Sequence, residues 1–130
     1  MSPEVAAGTG YDKTADWWSF GINLFRLTYG RNPFKNKNTK SMMENIVSEE
    51  LFFPPDIKIS LEYKDILSKL LEKNPENRLG HQNGAEDIKK HPWFKSIKFH
   101  RLLNFKIKPP FKPKITNDMD LKNFHDKFKN

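Results

Sequence analysis

Residues 16–30 read DWWSFGINLFRLTYG, and the reading of this stretch decides the fold. Thr14 and Asp16 offer N-cap chemistry at its start, and Gly30 is a natural stop before the break at Pro33. Between them stand Trp17, Trp18, Phe20, Ile22, Leu24, Phe25, Leu27 and Tyr29. At about 3.6 residues per turn these side chains surround the helix, which is the pattern of a helix buried on most sides. The segment is too short, and too polar at Ser19, Asn23 and Arg26, to span a bilayer. A helix of this kind needs a large body of protein around it.

The rest of the chain bounds what that body can be. Its 130 residues fit one domain of ordinary size. With no cysteine there is no disulfide and no thiolate metal site, which favours an intracellular protein, cytoplasmic or nuclear. No apolar run reaches membrane length, and Pro3, Glu4 and Gly8 interrupt the place where a secretory signal would have its apolar core. The net charge of +7 resembles a nucleic-acid signal until it is located. Residues 1–94 carry 13 basic and 13 acidic side chains, whereas residues 95–130 carry 10 and 3. The neutral body argues against nucleic acid as the partner, while the basic arm of residues 98–114, KFHRLLNFKIKPPFKPK, could follow a phosphate backbone or dock an aromatic groove as polyproline II.

On either side of the central helix the pattern is helices and loops. Residues 1–10 read as a loop of short residues, and residues 31–40 as a polar loop whose apolar pair is Pro33-Phe34. Thr39 or Ser41 can cap a short helix carrying Met42, Met43, Ile46 and Val47. Residues 51–55, LFFPP, read as extended, because a residue before proline is pushed out of the helical region. Ser60 opens an amphipathic helix whose apolar face is Leu61, Ile66, Leu67, Leu70 and Leu71, ending before Asn74-Pro75. A short helix over residues 85–90 stops at Pro92, and Trp93-Phe94 return to the core. From residue 95 there follow an amphipathic segment, a Pro-punctuated extended arm and a polar end with Phe124 and Phe128. The expected architecture is mainly α, residues 1–94 forming a helical body and residues 95–130 a basic extended tail.

Several of these stretches together resemble the protein kinases. Ser2-Pro3-Glu4 is similar to the Ala-Pro-Glu motif that closes a kinase activation segment. Residues 10–21, GYDKTADWWSFG, resemble the start of the central helix of the C-lobe in AGC-group serine/threonine kinases, and residues 30–34, GRNPF, the loop after it. Residues 74–80, NPENRLG, and 91–94, HPWF, are similar to the end of that lobe. Residues 109–113, PPFKP, with Asp120, Phe124 and Phe128, resemble the AGC C-terminal extension. The nearest likeness is to the ribosomal-protein kinases and their relatives. The resemblance implies a protein-kinase-like fold, here an incomplete helical C-lobe with an AGC tail.

The resemblance also implies roles. The glutamate matching Glu4 pairs with the arginine matching Arg78, tying the activation segment to the base of the lobe; a planar guanidinium suits that task because it grips a carboxylate twice. Asp16 would accept hydrogen bonds from the catalytic-loop backbone as well as serve the helix start. Phe124 would approach the adenine site from outside. The family's Tyr-Glu-Met is here Phe25-Arg26-Leu27, and that glutamate helps hold a basic residue of the substrate. Arg26 reverses the charge, so a preference for Arg-rich substrates is not expected. His91, beside Pro92 and far from any second His or Cys, is expected to be structural.

Phosphoryl transfer needs a Gly-rich loop, a phosphate-binding lysine, a catalytic-loop Asp and Asn, and the Asp-Phe-Gly aspartate for magnesium. None stands in these residues. Gly8-Thr9-Gly10 lacks the third glycine, Ser19-Phe20-Gly21 has serine in place of the metal-binding aspartate, and His100-Arg101-Leu102 has no aspartate. The expectation is a fragment of a kinase, from a truncated gene model, an exon fragment or a cloned piece, inactive alone. ATP and Mg2+ would serve the full-length enzyme, with protein substrates and the missing N-lobe as partners. The rival expectation is a non-catalytic interaction or regulatory module that binds a kinase partner or competes for substrates. In a complete kinase the catalytic loop and activation segment cover part of the central helix; neither stands in these residues, so some apolar surface of residues 16–30 should be bare.

Overall fold

A computed structural model describes residues 1–35 and 37–124. The described residues contain helices and no strands: α1 Pro3–Ala6, α2 Thr14–Tyr29, α3 Thr39–Ser48, α4 Leu61–Leu70, α5 Ala85–Lys89, a 3-10 turn Pro92–Phe94, and α6 Phe99–Leu103. No helix among the described residues is long and apolar enough to cross a membrane. The chain divides into two compact units, Met1–Ile97 and Lys98–Asn130.

In the first unit α2 runs between two apolar clusters. Trp18 and Ile22, one turn apart, pack with Phe34, Ile46 and Leu71. Trp17, Phe20 and Leu24, on a second face, pack with Ile66, Leu70 and Ile88. The helix is therefore buried on two faces, not all round. Trp18 and Phe25 are fully enclosed while Leu27 is 84% exposed. Between the faces sits Gly21, where a Cβ would lie 2.9 Å from the Leu70 Cβ; the missing side chain lets α4 approach α2. The approach is fastened by the Tyr63 hydroxyl, which donates to the Leu24 carbonyl at 3.0 Å and lies 2.6 Å from the Thr28 hydroxyl.

The capping chemistry departs from expectation at two places. Asp12, not Thr14 or Asp16, receives the Thr14 backbone N–H and hydroxyl, because the chain before α2 turns so that only the Asp12 carboxylate reaches them. At α3 the Asn38 side chain accepts from the Ser41 N–H at 2.7 Å, so the cap is neither Thr39 nor Ser41. Residues 3–6, read as loop, form α1, with Pro3 pre-set for a first helical turn. Ser60 does cap α4, accepting from the Tyr63 N–H at 3.1 Å. Yet Leu61 is 82% exposed and α4 stops at Leu70, with Leu71 turning into the first cluster.

In the second unit α6 is followed by an irregular chain. Phe105 holds φ 57° and is 96% exposed. Near its end the Asp120 carboxylate gathers the N–H groups of Thr116 at 3.0 Å and Lys122 at 3.1 Å, closing a turn just before Phe124. Phe128 lies outside the described residues.

Candidate functional site

Arg78 sits in the turn after α4 and is 2% exposed. Its Nη1 donates to Glu4 Oε1 at 2.8 Å and its Nη2 to Glu4 Oε2 at 2.9 Å, a two-pronged grip on the carboxylate of α1. Nη1 also donates to the Thr14 carbonyl at 3.1 Å, Nη2 to the Lys73 carbonyl at 3.3 Å, and Nε to the Glu72 carbonyl at 3.0 Å. The guanidinium carbon lies 5.2 Å from the Trp18 ring centroid. One side chain thus ties α1, the start of α2 and the turn after α4. Burial pushes the Glu4 carboxyl up, but hydrogen bonds from Arg78, the Glu4 backbone and Ser2, with the charge of Arg78, together outweigh it and hold the group below its ordinary value.

His91 is buried and structural in its bonding. Its Nδ1 accepts from the Trp93 N–H at 3.1 Å, so the ring proton belongs to Nε2, which faces Asp65 Oδ2 at 2.7 Å. Asp65 is held below its usual range by hydrogen bonds first from Lys69, then from His91. Lys73, adjacent to the Arg78 clamp, received no notice in the sequence. Its ammonium donates to the Ile46 carbonyl and stands 3.9 Å from the Phe34 ring centroid. Burial lowers its pKa to about 8, against the opposing pull of Glu49 and Glu72. Nothing in the local sequence distinguishes Lys73 from the other lysines, since its environment comes from α3 and the loop after α2.

Asp16 and Arg26 are not gathered with the clamp. Asp16 stands exposed in the first turn of α2, where its charge favours the helix dipole. Arg26 is exposed on α2 at the mouth of a cavity of about 240 Å3. Phe124 belongs to the second unit and is 56% exposed. The described residues do not fit a magnesium–nucleotide group: no three His, Asp or Glu side chains come together where they could hold a metal ion. What this arrangement does chemically is hold segments in place.

The protein kinase domain family matches residues 1–94, the stretch that holds Glu4, α2 and Arg78. This chain belongs to the protein kinase family. Its relatives are AGC-type kinases. Serine/threonine-protein kinase gad8 of Schizosaccharomyces pombe is 41% identical over 128 residues, covering 98% of this chain and 22% of gad8. Serine/threonine protein kinase ypkA of Aspergillus fumigatus is 38% identical over 128 residues, covering 98% of this chain and 20% of ypkA. YPK1 of Saccharomyces cerevisiae is likewise 38% identical, with 98% of this chain and 18% of the yeast protein covered. The kinase segment seen here thus spans about a fifth of the length of these relatives, and corresponds to their C-lobe region.

Proposed function

We propose that residues 1–94 are the C-terminal half of a serine/threonine kinase domain and residues 95–130 its AGC-type tail. The full-length enzyme transfers the γ-phosphate of ATP, with magnesium, to Ser or Thr hydroxyls of protein substrates; these 130 residues alone do not. The observation that carries the reading is the buried Glu4–Arg78 clamp, which fastens α1 to the base of the helical body and supports a segment entering from before Glu4. In the full-length enzyme Asp16 orients the catalytic-loop backbone and Phe124 borders the adenine site.

The test is an assay of the 130-residue chain with radiolabelled ATP, Mg2+ and a generic protein substrate, beside a chimera that places it after the N-terminal portion of the gad8 kinase domain. The chain alone is expected to give no transfer above background, and the chimera to phosphorylate. Phe124→Ala in the chimera is expected to raise the KM for ATP more than it lowers kcat. Transfer by the chain alone, or a folded chimera without activity, overturns the proposal.

A further inference from the structure

Lys73 follows α4 and reaches back to the end of α3. The Glu49 N–H closes that helix on the Asn45 carbonyl at 2.9 Å, and the Ile46 carbonyl, one residue further on, takes the Lys73 ammonium instead of a backbone donor. The other surroundings of the ammonium are aromatic. Its Nζ stands 3.9 Å from the ring centroid of Phe34 and 5.5 Å from that of Trp18, two buried rings stacked 5.6 Å apart. No carboxylate forms an ion pair with Lys73 among the described residues; Glu49 and Glu72 act on it only through space. The Arg78 guanidinium, held by Glu4, donates to the Lys73 carbonyl and so fixes the backbone from which the side chain extends. Lys73 is half-buried, not enclosed. An amine desolvated without a counterion gives up its proton early, and the neutral amine is the nucleophilic form.

We propose that Lys73 is a covalent modification site, its ε-amine acylated by small acyl thioesters. The neutral nitrogen attacks the thioester carbonyl carbon. A C–N bond forms, the C–S bond breaks, its electron pair leaves with the sulfur as thiolate, and the proton lost by nitrogen passes to the thiolate or to water. The step needs no oxidant, reductant or metal. Partial cover by the two rings selects a small acyl group, such as acetyl, over a long one. The product amide keeps an N–H for the Ile46 carbonyl but loses the charge that faced Phe34 and Trp18, so acylation loosens the tie between α3 and the turn after α4. The pocket is built from residues between Trp18 and Lys73 and does not depend on the catalytic reading of the full-length enzyme.

Competitive labelling tests it on the 130-residue chain. The probe is S-acetyl-N-acetylcysteamine at neutral pH, and peptide mass spectrometry reads the rate at each lysine. Lys58 and Lys108, both exposed, are the references. At about pH 7.4 an amine with a pKa of about 8 is about a fifth neutral, whereas an ordinary lysine is less than about a thousandth neutral. Lower basicity and partial cover take back some of that advantage, and Lys73 is expected to label about tenfold faster than either reference. Its lead is expected to vanish in concentrated urea, which removes the rings and the Ile46 carbonyl, and to shrink as the pH is raised and the reference lysines lose their protons. Labelling of Lys73 no faster than the references at neutral pH, a lead that survives urea, or a lead that stays constant with rising pH overturns the proposal.

Discussion

Arg78 places all five of its N–H groups on protein oxygens, two of them on Glu4. Removing one partner of such a pair leaves a buried, uncompensated charge, which costs about 3–5 kcal/mol. Glu4→Ala is therefore expected to lower the urea midpoint sharply, and an unchanged midpoint would show that the pair carries no stability. The Glu4 carboxyl sits below its ordinary 4.5 in the folded state, so the pair's contribution is complete above that pH and is lost as pH falls through the folded value. Lys73 runs the other way. Its folded pKa of about 8 lies under the ordinary 10.5, so the folded state releases the proton first and stability rises between these values. Urea midpoints of wild type and Lys73→Met, compared across that alkaline range, should converge or cross as the pH rises; parallel curves would contradict the burial argument. Glu4 and Arg78 were legible because their residue types and order match a family motif. Lys73 was not, because burial by Phe34 and Ile46 leaves no trace in its neighbours along the chain.

At the scale of elements, close approach decides what the helices can do. Gly21→Ala would set a Cβ 2.9 Å from Leu70 and 3.0 Å from Leu71, and overpacking of this kind costs about 1–3 kcal/mol. Gly80 is stricter, since a Cβ would meet Trp17 at 2.6 Å and the backbone holds φ +95°. Ser60→Ala should cost about 1 kcal/mol through the lost cap of α4, read as a fall in melting temperature. Melting of the two variants orders them: Gly21→Ala below Ser60→Ala, the reverse order counting against the α2–α4 contact. Periodicity made α2, α3 and α4 legible, since each carries apolar residues at helical spacing. It could not choose between nearby caps. Thr14, Asp16 and Asp12 all have the right chemistry for α2, and only the path of the chain brings Asp12 to the Thr14 N–H.

For the whole molecule the charge is divided as the units are. Met1–Ile97 carries a net +1 and Lys98–Asn130 the remaining +6. A chain ending at Ile97 should elute from a heparin column at clearly lower salt than the full chain, because polyanion retention follows the number of cations engaged. Similar elution of the two would place the binding charge in the body instead. The bare apolar surface expected on α2 is found at Leu27, while both tryptophans of that helix are drawn into the two clusters.

The sequence by itself determined the helical class, the place of the central helix, the kinase family and the basic tail. These depend on periodicity, residue order and charge count, all of which are local or additive along the chain. Only the tertiary structure decided which faces of residues 16–30 are covered, that Arg78 satisfies every donor, and that Lys73 is desolvated. Each of these depends on residues far apart in the chain meeting in space, where burial and hydrogen-bond geometry, not residue type, set the energy.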